Sequence, residues 1–321
     1  MACKVGVVKD EHLLAYSFPS PHPLTGRRIQ AFYSALDGYP YRNELIEVKG
    51  RRADDEELLS FHTRSYLELV KTKSLTGEGY LDYGDTPAFK GVYEAASYSV
   101  GSTLMLADMI MEGTIEHGFN PLGGLHHAKA SSASGFCVFN DAAILIKYLH
   151  SKFHLNRILY VDIDAHHGDG VFYAFEDVPW LSIIDIHEDG RYLYPGTGFP
   201  DEEGKGEGLG KKLNVTLPPG SGDSEFEIAF MKTMDFAEQS DPEFVVMQAG
   251  ADGLHGDPLT HLNYTARTHR VAASRLHRLA HDYAHGRMVA LGGGGYNIDN
   301  VAEAWLEVVT AMLGNKLSHG E

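Results

Sequence analysis

Five short runs of almost unbroken apolar residues recur along this chain: Val5–Val8, Ile158–Ile163, Leu181–Ile186, Phe244–Met247 and Met288–Leu291. A strand buried on both faces loses the in–out alternation of a half-exposed one, so runs of this kind suit the interior of a parallel sheet. Longer segments of helical pattern separate them, over Gly91–Met111, Asp141–His150, Glu225–Glu238 and Thr265–His281. The alternation predicts an α/β fold, an open parallel sheet flanked by helices. A chain of 321 residues has room for one large α/β domain or two small ones. There is no internal repeat. The glycine-rich stretch Gly196–Gly210 is the best boundary candidate, but strand signals on both sides make it a surface loop. One domain over residues 1–321 is therefore expected.

Almost every apolar run is followed at once by polar or glycine residues of unusual type. Asp162-Ile163-Asp164-Ala165-His166-His167-Gly168-Asp169 overlaps and follows the second, Gln248-Ala249-Gly250-Ala251-Asp252 follows the fourth, and Gly292-Gly293-Gly294-Gly295-Tyr296 the last. Ligands of open α/β sheets bind beyond the carboxyl ends of the strands, so these segments are expected to converge on one site.

Three carboxylates and two imidazoles within eight residues exceed what a core requires. With a period of two at a strand end, Asp162, Asp164 and His166 share one side. Their oxygen and nitrogen donors suit a divalent metal such as Zn²⁺. A catalytic zinc keeps one position open and takes three protein ligands. Two come from this cluster; Asp252, set among small residues that allow close backbone approach, is placed to be the third. A lone aspartate there would more often cap a helix or a turn. Elsewhere, Gly123-Gly124-Leu125-His126-His127 sets adjacent histidines after a tight loop. Beside a metal they become candidates for proton transfer, with Asp162 and Asp169 as the carboxylates that orient them. The four glycines before Tyr296 have the look of a phosphate loop but lack the Lys-Ser/Thr that ends one. Tyr296 can instead donate a hydrogen bond to a developing oxyanion.

Composition excludes some partners. With 27 Lys and Arg against 44 Asp and Glu, the net charge is −17, which repels phosphate backbones, so no direct nucleic-acid binding is expected. The excess acid keeps the chain soluble, or draws in a cationic substrate. Two cysteines, Cys3 and Cys137, are too few for a disulfide framework. The first residues carry no signal-peptide core, and no stretch is apolar for the roughly 20 residues a membrane span needs. A cytoplasmic protein is expected.

Taken together these segments resemble the zinc-dependent histone deacetylase family of the arginase–deacetylase superfamily. The resemblance covers most of the chain. His22-Pro23 with Arg28, Phe61-His62-Thr63, Tyr66-Leu67 and Pro195-Gly196-Thr197-Gly198 match further family motifs. It implies Asp164, His166 and Asp252 as ligands of one catalytic zinc. His127 with Asp169 would be the main general base and acid, and His126 with Asp162 its electrostatic partner. Tyr296 would polarise the acetyl carbonyl. Gly135 and Phe136 would form one tunnel wall, with Tyr194, where many relatives have Phe, opposite. Asp85 would be the rim aspartate that holds substrate backbone, and Leu259 would occupy the gatekeeper position after Gly256-Asp257-Pro258. A structural potassium ion is also suggested, with Asp185 standing where many relatives have Ser.

The resemblance implies hydrolysis of the acetyl amide of N-ε-acetyl-lysine, with an acetylated protein or peptide as partner. Short loops and the lack of a basic tail are more like prokaryotic members, including acetoin utilisation proteins, so a histone substrate is not implied. Three alternatives stand beside this. An acetylpolyamine amidohydrolase would use the same chemistry. An arginase-like two-metal hydrolase would need aspartates where His126 and Tyr296 stand. A catalytically dead acyl-lysine-binding module is opposed by the complete set of ligands, both histidines and Tyr296.

Overall fold

Eight parallel strands make one sheet in the order β2–β1–β3–β8–β7–β4–β5–β6. They are β1 (Val5–Val8), β2 (Leu45–Val48), β3 (His117–Asn120), β4 (Ile158–Asp162), β5 (Leu181–Glu188), β6 (Lys212–Leu217), β7 (Phe244–Gln248) and β8 (Met288–Leu291). This computed structural model describes residues 3–314; the ends of the expected domain, residues 1–2 and 315–321, lie outside the described residues. The open parallel α/β sheet expected from the apolar runs is the fold observed. All five runs are strands, and every residue of β1, β4, β5, β7 and β8 is buried.

Three strands were not expected from the sequence. β2 and β6 are the two edges, and their part-exposed patterns include Glu47 and Thr216. An edge strand keeps one side toward water and so mixes polar with apolar residues. β3 reads His-Gly-Phe-Asn yet is buried throughout. Asn120 belongs there because its side-chain amide donates to the Ser99 carbonyl (3.0 Å) and to Thr103 Oγ1 (2.9 Å). The stretch Gly196–Gly210 joins β5 to β6, which pair directly, Ile183 opposite Lys212.

Nine helices are described: α1 (Arg27–Asp37), α2 (Asp55–Leu59), α3 (Arg64–Thr76), α4 (Val92–Met111), α5 (Asp141–Phe153), α6 (Asp169–Phe172), α7 (Asp223–Gln239), α8 (Arg267–Tyr283) and α9 (Ile298–Met312). In one layer α1, α9, α8 and α7 pack in succession; in the other α5, α4 and α3 do. Among the described residues no helix is long and apolar enough to cross a membrane.

The strand register fixes where function can sit. Asp162 lies opposite Gln248, Gln248 opposite Leu291, and Leu291 opposite Asn120. The carboxyl ends of β3, β8, β7 and β4, four adjacent strands in the middle of the sheet, are therefore level. The four unusual sequence segments all leave the sheet along this one line.

Candidate active site

The regular strand stops at Asp162, so the period of two does not extend to Asp164 and His166 as the sequence suggested. The chain instead folds through two successive side-chain turns: Asp162 Oδ1 accepts from Asp164 N (3.1 Å), and Asp164 Oδ1 accepts from His166 N (3.0 Å). These local bonds are the usual way aspartate replaces a ladder with a turn. They aim Asp164 and His166 at Asp252, which follows β7. His166 Nδ1 lies 3.0 Å from both Asp164 Oδ1 and Asp252 Oδ2.

The remaining carboxylate oxygens are fully engaged. Asp164 Oδ2 accepts from Gln248 Nε2 and Gly294 N, each at 2.9 Å, and Asp252 Oδ1 accepts from Ala165 N at 2.8 Å. Only a glycine fits at 294, since a Cβ there would stand 2.1 Å from Asp252 Oδ2. All three residues are buried and their donor atoms lie within 4.8 Å of one another. Burial, and next the charge of Asp164, pushes Asp252 up to about 7. Two buried carboxylates meeting at one imidazole nitrogen are a donor set that fits a divalent cation such as zinc.

The histidine pair sits against this triad. Gly124 N and Leu125 N donate to the Asp141 carboxylate (3.2 and 2.9 Å), and Asn140 Nδ2 donates to the His126 and Ala128 carbonyls (3.2 and 2.9 Å). The start of α5 thus pins the loop on both sides. His126 Nδ1 meets Asp162 Oδ2 at 2.8 Å, and Tyr160 donates its hydroxyl to the same oxygen at 2.6 Å. His127 Nδ1 meets Asp169 Oδ1 at 2.8 Å. Burial works against protonating either ring. For His126 the charges of Asp162 and Asp164 outweigh it and lift the pKa to about 10. For His127 burial, joined by the charge of His126, lowers it to about 4.

A channel of about 250 Å³ reaches this floor, lined by Asp85, His127, Gly135, Phe136, His166, Leu193, Tyr194, Leu259 and Tyr296. Phe136 holds a left-handed backbone, φ +68°, unusual for a bulky residue. Thr86 Oγ1 accepts from its N–H (3.1 Å), and Tyr16 donates to its carbonyl (2.7 Å). The Phe136 ring meets Tyr296 edge-on at 5.7 Å. Across the channel the Tyr194 ring lies 5.1 Å from that of His127, and the Tyr194 hydroxyl bonds Ser134 Oγ at 2.6 Å. The extra hydroxyl therefore has a partner at the rim, in Ser134.

Several contributors carried no assigned role in the sequence. Asp257 accepts from both Leu259 N (2.9 Å) and Tyr296 N (2.7 Å), fixing two channel residues with one carboxylate. Arg28 donates to the Gly293 and Gly294 carbonyls (2.5 and 3.0 Å) and lies over the Tyr296 ring at 5.6 Å. Gln248 could have been found as the polar residue closing an apolar strand. Burial, then the charge of Asp252, holds the Tyr296 hydroxyl well above its usual range, so it keeps its proton and can donate a hydrogen bond. Asp85 stands at the rim with Asp82, whose Oδ1 accepts from the N–H groups of Gly84, Asp85 and Thr86. At the suggested potassium locus, Asp185 is engaged by His187 Nδ1 (2.6 Å) and Gly168 N (2.9 Å), and these contacts give the potassium expectation no support.

Comparison with known proteins agrees with this geometry. The histone deacetylase domain profile matches residues 22–312. The acetoin utilization protein AcuC of Bacillus subtilis is 40% identical over 316 residues, covering 95% of this chain and 81% of its own. AcuC of Staphylococcus xylosus is 35% identical over 320 residues, covering 97% and 83%. The crystal structure of the HDA15 HD domain superposes with a TM-score of 0.86 at 30% identity, covering 98% of this chain and 92% of that one. A buried carboxylate–imidazole triad at the carboxyl ends of a parallel sheet and an alignment over nearly the whole length thus lead to one conclusion: the chain belongs to the histone deacetylase family of hydrolases.

Proposed function

We propose that this protein is a zinc-dependent amidohydrolase that removes the acetyl group from the ε-amino group of acetyl-lysine in proteins or peptides. The observation that carries this is the channel: its walls are Phe136, Leu193, Tyr194 and Leu259, and its floor is His127, His166 and Tyr296. Such walls suit the uncharged aliphatic stem of an acylated lysine. Zinc held by Asp164, His166 and Asp252 would supply Lewis acidity and a water of lowered pKa. His127, neutral in its buried setting, takes the proton of the attacking water and returns it to the departing amine. His126, held protonated by Asp162, keeps a positive charge beside the forming oxyanion. Tyr296 donates its hydroxyl to that oxygen.

The carboxylates of Asp82 and Asp85 at the rim, with the net charge of −17, favour a second reading in which the substrate is an acetylpolyamine. Against it, Leu259 offers nothing to an ammonium group inside the channel. Measuring kcat/KM side by side on an acetyl-lysine peptide and on acetylspermidine or acetylputrescine decides between them. A polyamine preference of tenfold or more, about 1.4 kcal/mol in transition-state binding, replaces the first reading with the second.

A further inference from the structure

At the opposite end of the sheet, four metal-ligating side chains from three distant segments meet. Cys3 lies just before β1, His117 opens β3 beside it, and His277 and His281 are one turn apart on α8. Their donor atoms all lie within 4.8 Å of one another. Cys3 Sγ is 3.3 Å from His281 Nε2. The three imidazoles pack mutually, with ring centroids 4.9 Å apart for His117 and His277, 5.2 Å for His117 and His281, and 4.6 Å for His277 and His281. The Cys3 backbone is held in place, its N–H donating to the Leu313 carbonyl at the end of α9 (3.3 Å).

The polar bookkeeping of this cluster is incomplete. His117 is fully buried, and neither of its ring nitrogens makes a hydrogen bond of normal geometry; the Gly286 carbonyl is close enough only to favour a protonated ring. His277 Nδ1 is likewise without a partner. Buried imidazoles in a settled core are normally hydrogen-bonded. A neutral imidazole at each of these positions has a ring-nitrogen lone pair to offer a metal. A shared cation is the partner that satisfies several such lone pairs at once.

We propose that Cys3, His117, His277 and His281 form a second metal site, for a zinc-class cation that accepts thiolate and imidazole ligands. One sulfur and three nitrogens can fill four positions with no water, and a closed four-ligand shell is what distinguishes structural zinc sites from catalytic ones. Tetrahedral coordination places such donors roughly 3.3–3.6 Å apart, so donors now within 4.8 Å of one another would draw together on binding. Binding expels the Cys3 thiol proton to solvent and leaves a thiolate–metal bond. Glu116, next to His117, accepts from the Lys4 backbone N–H beside Cys3 (3.0 Å) and brings a negative charge to this end of the sheet. The site contains no carboxylate ligand and shares no residue with the active site. It would tie the segment before β1 to α8 across the base of β3.

The test uses untagged full-length protein. Elemental analysis is expected to find about one more bound metal ion per chain in the wild type than in Cys3→Ser or His277→Ala/His281→Ala. These variants should keep their catalytic turnover. Cobalt-loaded wild type should show a thiolate-to-metal charge-transfer band that Cys3→Ser loses and Cys137→Ser keeps. Equal metal content in wild type and variants overturns the proposal. So does a wild-type cobalt spectrum without the band, or a band that survives in Cys3→Ser.

Discussion

His126 Nε2 and His127 Nε2 are 3.0 Å apart. Two imidazole nitrogens at that separation have room for one proton between them, and their surroundings give it to His126, pushed up to about 10, and withhold it from His127, pushed down to about 4. His127 is then the member able to accept a proton from water. His127→Ala is expected to lower kcat/KM more than His126→Ala, by about 10²–10⁴-fold for the loss of a general base. The reverse order would exchange their roles.

Tyr296→Phe should keep fold and metal content while lowering kcat about 10²–10³-fold, the usual loss when one oxyanion donor is removed. The ring is held by Phe136 and Arg28, and the backbone by Asp257, none of which the substitution touches. An unchanged kcat removes the hydroxyl from the mechanism.

Asp252→Asn retains an oxygen to accept from Ala165 N but gives up one of the two carboxylates of the triad. It should abolish turnover and reduce zinc content by about one ion per chain, leaving any ion at Cys3 and α8 in place. Elemental analysis of Asp252→Asn beside Cys3→Ser separates the two sites. Full zinc retention in Asp252→Asn overturns the active-site ligand set.

Although Asp85 stands at the surface, the protein crowded around its carboxyl, and next the neighbouring Asp82, raises its pKa to about 6, while Asp82 is lowered to about 2. A raised carboxyl carries its proton up to that pH and its charge only above it. If the Asp85 carboxylate accepts a substrate N–H, KM for a peptide falls as pH rises through about 6. Asp82→Asn removes the repelling charge and should move that inflection to lower pH. A KM profile that ignores Asp82→Asn dissociates Asp85 from substrate binding.

The sequence was most legible where burial is uniform. β1, β4, β5, β7 and β8 announce themselves because both faces are covered, and the polar residues after them stand out for the same reason. β3 escaped notice since half of its residues are polar, and what licenses Asn120 there is a pair of partners on α4, Ser99 and Thr103, that no local pattern reveals. In the site, residue types at strand ends pointed to the triad and the histidine pair. The supports, Gln248, Asp257 and Arg28, act through hydrogen bonds across 84, 39 and 265 positions of sequence. Distances of that kind are set by the sheet order and leave no trace in spacing.

The insertion of β8 between β3 and β7 has a consequence for synthesis of the chain. Until Met288–Leu291 has left the ribosome, the strands made early, β1 to β3, have no bridge to β4 through β7, because the last strand is the one that joins them. The two halves of the sheet can each begin to order, but the nascent chain holds an open seam along its centre, with unpaired strand edges on both sides. The same closing strand delivers Gly294 and Tyr296. Sealing of the seam and arrival of Gly294 and Tyr296 at the candidate site thus come together, and a chain stalled before residue 288 has neither.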